Sequence, residues 1–234
     1  MPVTDTGQGG TLARTHEGKP GLPRGRSRLP LSAVRASQRE RLLRSVIAAI
    51  SESGYLAVTV ADIVRGARVS RAAFYAHFAD KEDCFLAATA EGRELMIAQV
   101  VSATRALPAG SRAEEILRVA CRAYLEFLAG EPAFATVFYV HMPTAGPRAL
   151  ARLDAAAGRF AELNARWHHR AREHHPDWPL VPPEAYLALA GATDELVRSM
   201  VRAGHADKLP ELEQTLVSFH LAVLAARRWP VLRS

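Results

Sequence analysis

The sequence predicts an all-α protein, with an N-terminal three-helix unit followed by a larger helical region. Three observations carry that reading. Ala, Leu, Val and Arg dominate, while runs of β-branched and aromatic residues are scarce. From Ser37 onward apolar residues recur at three- and four-residue spacing. Gly and Pro cluster between these stretches and punctuate them.

Residues 1–36 are rich in Gly, Pro, Ser, Thr and Arg and have no apolar periodicity, so they read as a disordered basic arm. Six Lys/Arg against two acidic residues give the arm +4 of the chain's net +6. Ser37, with Glu40 three residues on, reads as a capping box that starts the first helix. Leu43, Val46, Ile47 and Ile50 form its stripe, and Gly54 stops it. Thr59 with Asp62 starts a second helix through Ala67, and Ser70 starts a third that reaches about Phe78. Asp80 with Asp83 starts a fourth, closed by Pro108 to Gly110.

A fifth helix begins near Ser111 and ends at Gly130, before a short aromatic segment. Pro143, Gly146 and Pro147 open a long helix that runs to about His174. Pro176, Pro179, Pro182 and Pro183 make a connector, because proline cannot continue a helix. Two amphipathic helices follow, about 184–203 and about 211–228. The expected organisation is an arm at 1–36, a domain of short helices at 37–85 and a larger helical domain at 86–234.

Several functional classes find no support. No stretch approaches the ~20 apolar residues of a membrane span, and the N-terminus lacks the apolar core of a secretory signal, so a soluble, cytoplasmic protein is expected. Cys84 and Cys121 cannot build a disulfide framework and read as core fillers, with a redox sensor as the minor alternative. No Gly-rich phosphate loop, paired-carboxylate arrangement or Ser/His/Asp order is visible, so neither enzymatic activity nor a cofactor is expected. The run His168 to His175 contains no pair of histidines at i, i+4, the usual helical zinc spacing. It reads as a solvated helix end rather than a metal site.

Residues 59–78 carry the functional signal. Two short helices joined around Arg68 and Val69 have the dimensions of a helix-turn-helix, whose second helix enters the major groove. Ile63, Val64, Ala67, Val69, Phe74 and Phe78 supply its apolar inside. Arg71, Ala72, Tyr75 and His77 fall outward or toward the N-terminal end of the second helix, a set of donors and small surfaces suited to base edges and phosphates.

Thr59-Val60-Ala61-Asp62-Ile63-Val64, Ala67-Arg68-Val69-Ser70, Phe74-Tyr75-Ala76-His77-Phe78 and Lys81-Glu82-Asp83 together resemble the TetR/AcrR-family signature. The resemblance covers residues 37–85 and implies a ligand-responsive DNA-binding transcriptional regulator, more often a repressor. It implies phosphate contacts from Thr59 and Lys81, capping of the recognition helix by Ser70, base-facing positions at Arg71 and Ala72, and backbone contacts from Tyr75 and His77. The family commonly has glycine where Arg68 stands. A left-handed backbone there costs another residue about 1 kcal/mol, and the added cation is a further candidate phosphate contact.

The resemblance also implies a homodimer on double-stranded operator DNA and a small-molecule inducer bound in the C-terminal domain. An apolar or aromatic inducer fits the aromatic middle of the chain. Phe127, Phe134, Phe138, Tyr139, Trp167 and Tyr186 are candidate pocket residues, with His141 and Asn164 as polar fixing points. Leu212, Leu216, Phe219 and Val223 are the candidate dimer stripe. The alternatives are a helical enzyme or a protein-interaction module that carries a vestigial helix-turn-helix.

Overall fold

The computed structural model describes residues 10–15 and 30–226. Among the described residues every regular element is helical. The α-helices are α1 (Leu31–Ser53), α2 (Val60–Ala67), α3 (Arg71–Tyr75), α4 (Lys81–Arg105), α5 (Ala113–Gly130), α6 (Pro132–Thr136), α7 (Pro147–Arg172), α8 (Pro183–Arg202) and α9 (Glu213–Leu224). A π-helical turn at Val137–His141 and 3-10 turns at Met142–Thr144 and Ala206–Leu212 connect them. No helix among the described residues is long and apolar enough to cross a membrane. The chain divides into two compact units, one formed by residues 1–95 with 130–150, the other by 96–129 with 151–234.

In the first unit, Leu42, Leu43, Val46, Ile47 and Ile50 of α1 are buried with Ile63, Phe74, Phe78 and Phe85. The Ser45 hydroxyl donates to the Ile63 carbonyl at 2.8 Å, and a Cβ at Gly66 would overlap the Ser45 Oγ, so α1 and α2 cross closely. Helix α1 starts at Leu31, six residues ahead of the Ser37 capping box, with Pro30 as its N-cap. The stretch Leu31–Ala36 contains neither Gly nor Pro, so helix runs back unbroken until Pro30 interrupts it. Gly54 ends α1 as the sequence predicts, with φ +80° and its N–H on the Ile50 carbonyl at 2.8 Å.

Part of the N-terminal stretch that reads as a disordered arm is seated in this unit. The N–H groups of Thr11 and Leu12 donate to the two oxygens of the buried Glu131 carboxylate at 2.8 and 2.9 Å, and Ala13 is buried. Consecutive amides following Gly10 at φ +67° form a small anion-binding nest. Composition gave no sign of it, because the partner is 120 residues away. The arm cations Lys19, Arg24, Arg26 and Arg28 lie outside the described residues.

The second unit packs α5 antiparallel to α4 and α7. Gln99 donates to the Ala123 carbonyl at 3.3 Å, and the Trp167 indole donates to the Ala113 carbonyl at 3.1 Å. Tyr186, Leu189 and Leu224 form a buried cluster joining α8 and α9, with Trp167 and Val223 against it. His168 departs from the expected solvated helix end. It is fully buried, its Nδ1 lies 2.8 Å from the Tyr186 hydroxyl, and its ring stacks on Trp178. Helical spacing puts it on the inward face while His169 and His174 remain outside.

Candidate DNA-binding surface and ligand cavity

The helix pair is fixed by local chemistry. The Thr59 hydroxyl accepts from the Asp62 N–H at 3.3 Å while the Asp62 carboxylate accepts from the Thr59 N–H at 2.9 Å, a complete capping box. The Thr59 hydroxyl also donates to the Asp62 carboxylate at 2.6 Å, and this bond together with that from the Thr59 N–H holds the Asp62 carboxyl below its usual range. Arg65 also pairs with Asp62. Ser70 caps α3 by accepting from the Ala73 N–H at 3.0 Å. Between the helices Arg68 adopts φ +52° and ψ +46°, the left-handed conformation that glycine accepts more readily. Arg41 of α1, which the sequence reading missed, donates to the carbonyls of Ala67 and Arg68 that this turn leaves open. Its signal is a cation on α1 one residue before the buried stripe, legible only with α2 in place.

The structure separates the eight candidate DNA-contact residues into two groups. Thr59, Arg68, Ser70, Arg71, Ala72 and Tyr75 are exposed, and the Arg71 guanidinium lies over the Tyr75 ring at 5.8 Å from its centroid. Beneath them Phe74 is fully buried and meets Tyr75 edge-on, so the outward face of α3 rests on a rigid aromatic. His77 and Lys81 turn inward. Burial, aided by the Arg35 and Arg39 charges, lowers the His77 pKa. Its Nε2 is shielded from solvent and finds no partner among the described residues. The Lys81 ammonium donates to the carbonyls of Tyr55 and Val58 at 2.7 and 2.9 Å and sits 4.2 Å from the Tyr55 ring centroid. Burial lowers its pKa also.

The second unit holds a cavity of about 630 Å³ between the α4–α5 hairpin and α7. Of the eight candidate pocket residues, Asn164 and Trp167 line it. The other six are elsewhere. Phe134 and Phe138 stack on one another and Tyr139 meets Phe138 edge-on, all buried within the first unit. His141 lies beside Gly54, and burial lowers its pKa. Tyr186 is engaged with His168, and Phe127 does not reach the lining. The aromatic residues fill their own cores; aliphatic side chains of α4 and α5 share the cavity wall with α7 and the α4–α5 turn, and in a sequence these look like any helical stripe.

The candidate dimer stripe is also divided. Leu216 is buried within its own chain, and Val223 packs on the Tyr186–Leu224 cluster. Leu212 is half-buried, whereas Phe219 is exposed, as are Leu187 and Leu196 of α8. Both cysteines are buried, and desolvation pushes each thiol up to about 12. That chemistry suits core filling, since the reactive species is the thiolate.

Residues 42–88 match the family profile of bacterial regulatory proteins, tetR family. Solved structures share the fold. The fatty acid degradation regulator FadR from Bacillus halodurans is 18% identical, with a TM-score of 0.70 over 82% of this chain and 96% of that one. FadR from Bacillus subtilis, in complex with stearoyl-CoA, is 16% identical, with a TM-score of 0.69 over 79% and 98%. A TetR-like regulator from Rhodococcus sp. RHA1 is 23% identical, with a TM-score of 0.60 over 83% and 99%. No curated protein sequence matches the chain. At these identities the solved structures speak for the fold, while the profile match falls on the helix-turn-helix. The helix-turn-helix segment, residues 42–88, is thus the part of the chain that matches the tetR family of bacterial regulatory proteins.

Proposed function

We propose that the protein is a DNA-binding transcriptional regulator, a repressor that acts as a homodimer and leaves its operator when a small ligand fills the cavity. The observation that carries the DNA reading is the outward face of α3, where Arg71, Ala72 and Tyr75 are exposed together above the buried Phe74. An arginine fork and a small side chain at the start of a recognition helix are suited to base edges, and Tyr75 to the sugar-phosphate backbone. A dimer presents two such helices to successive major grooves about 34–36 Å apart, so the operator is near-palindromic. The exposed Leu187, Leu196 and Phe219 on α8 and α9 supply the dimer face.

Helix α4 begins six residues after the end of α3, and its residues Met96 to Thr104 line the cavity. A ligand there is placed to shift α4 and with it the recognition helix. Such a ligand switches the protein only if it prefers the non-binding state by several kcal/mol. The ligand complex of one similar protein supports a ligand-responsive reading.

The test is salt-dependent binding to duplex DNA from the protein's own upstream region and to selected random sequences, against a scrambled duplex. Sequence-selective binding with two chains per site supports the proposal. Equal, weak binding to every duplex, including selected ones, defeats it.

A further inference from the structure

The cavity changes character along its length. At one end Met96 of α4, Leu117 of α5 and Phe160 of α7 line it, with Met96 and Leu117 buried. Tyr124 meets Phe160 edge-on at 5.8 Å, so aromatic rings back this end. At the other end the α4–α5 turn, the last turns of α7 and the turn that follows it bring Arg112, Arg166, Arg170 and His174 to the lining, all exposed. From Phe160 to Arg170, α7 rises roughly 15 Å. The result is a long apolar slot with a cationic mouth.

The mouth has unspent charge. Arg166 lies 3.8 Å from Glu162, and His175, also at the mouth, lies 3.9 Å from Glu114. Arg112 and Arg170 make no ion pair among the described residues. A neutral apolar ligand would fill the slot and leave both guanidinium groups unused, and a cationic one would be repelled. A carboxylate or phosphate matches the planar donor fork of arginine.

We propose that the cavity takes an anionic amphiphile, with a linear acyl chain in the slot toward Met96 and Phe160 and a carboxylate or phosphate head group on Arg112 and Arg170. This assignment rests on the cavity's being the effector site and adds a charge to the apolar ligand that the sequence predicts. Asn164 and the Trp167 ring line the slot between its two ends.

The experiment titrates the full-length protein with four probes below their micelle concentrations: dodecanoate, dodecanoyl-CoA, dodecanol and dodecyltrimethylammonium. Calorimetry and tryptophan fluorescence report binding. At least one of the two anions is expected to bind tenfold or more tighter than the alcohol, and the ammonium more weakly than either anion. Preference for the thioester assigns the head group as phosphate, and preference for dodecanoate assigns it as carboxylate. The double variant R112E/R170E changes exposed side chains, so its melting temperature should match the parent while the order of anion and ammonium reverses. Equal affinity for alcohol and anions, an order unaltered in the variant, or no binding of any probe overturns the assignment. DNA affinity measured without ligand on the same preparation reports on the regulator reading separately.

Discussion

Arg41 donates from Nη1 to the backbone carbonyl of Arg68 at 3.2 Å, so a cation on α1 braces the one left-handed non-glycine residue among those described. The same group reaches the Ala67 carbonyl at 3.1 Å. Two opposed substitutions test this arrangement. Arg68→Gly relieves the backbone and should raise stability by up to roughly 0.5 kcal/mol, the left-handed penalty less glycine's greater unfolded-state entropy. Arg41→Ala removes charge-assisted bonds at a half-exposed site and should lower stability by about 1–2 kcal/mol. Urea unfolding gives both numbers; a stability loss in Arg68→Gly would show that the turn is not strained.

The position of Lys81 separates two roles that its motif alone does not distinguish. With its ammonium on the Tyr55 and Val58 carbonyls, it ties down the loop leading into α2. Lys81→Met should therefore weaken binding to all duplexes while leaving the salt slope of the affinity intact. A lost phosphate contact would instead flatten that slope by about 1. Arg71→Ala should change base preference, at about 1–3 kcal/mol for a base it contacts bidentately. Salt titrations on the operator and on a scrambled duplex check both residues.

Close packing in the first unit gives a further prediction. A Cβ at Gly92 would overlap the ring of Phe134, which is fully buried and stacked on Phe138. The ring has no room to yield, so Gly92→Ala should cost about 1–3 kcal/mol. Phe134→Leu vacates that space, and the double variant should be more stable than the sum of the two single losses predicts. A double-mutant cycle in chemical denaturation measures the coupling, and simple additivity would place the strain elsewhere.

The helix-turn-helix was legible because its determinants are local. Thr59 with Asp62, Ser70, and the Phe74 and Phe78 spacing act within one or two turns, and the structure keeps each of them. What the sequence missed depends on distant partners. Ser37 with Glu40 has the letters of a capping box, yet nothing before it except Pro30 stops the helix. Glu131 holds residues from the far end of the chain. The aromatic segment Phe134 to Tyr139 suggests a pocket, but large rings close a core as readily as they line one, and here they close it. Asn164 and Trp167 line the cavity, whereas the basic mouth at Arg112 and Arg170 comes from residues 58 positions apart that only the antiparallel packing of α5 and α7 brings together.

The buried thiols should be inert in the folded protein. With Cys84 and Cys121 both pushed up to about 12 by desolvation, almost no thiolate exists at neutral pH. A thiol-specific reagent should label neither residue in native buffer and both in denaturant. Rapid labelling of either in native buffer would restore the redox-sensor alternative.

Two buried imidazoles contribute to how stability responds to acid. His168, against Tyr186 and Trp178, and His220, whose Nδ1 lies 2.8 Å from the Leu216 carbonyl, are each lowered below the ordinary histidine value, chiefly by desolvation. In the unfolded chain both titrate near 6.5. Below that pH the unfolded state binds protons that the native state refuses, so stability is retained above it and falls as pH drops toward the depressed native values. Each histidine contributes up to about 1.4 kcal/mol per pH unit in that window. His220→Gln keeps a donor for the Leu216 carbonyl but no titrating group, so its stability should fall less steeply from pH 6.5 to 5 than the parent's. Urea midpoints across that range decide it. Parallel curves would mean that His220 accepts a proton in the native state at its ordinary pKa.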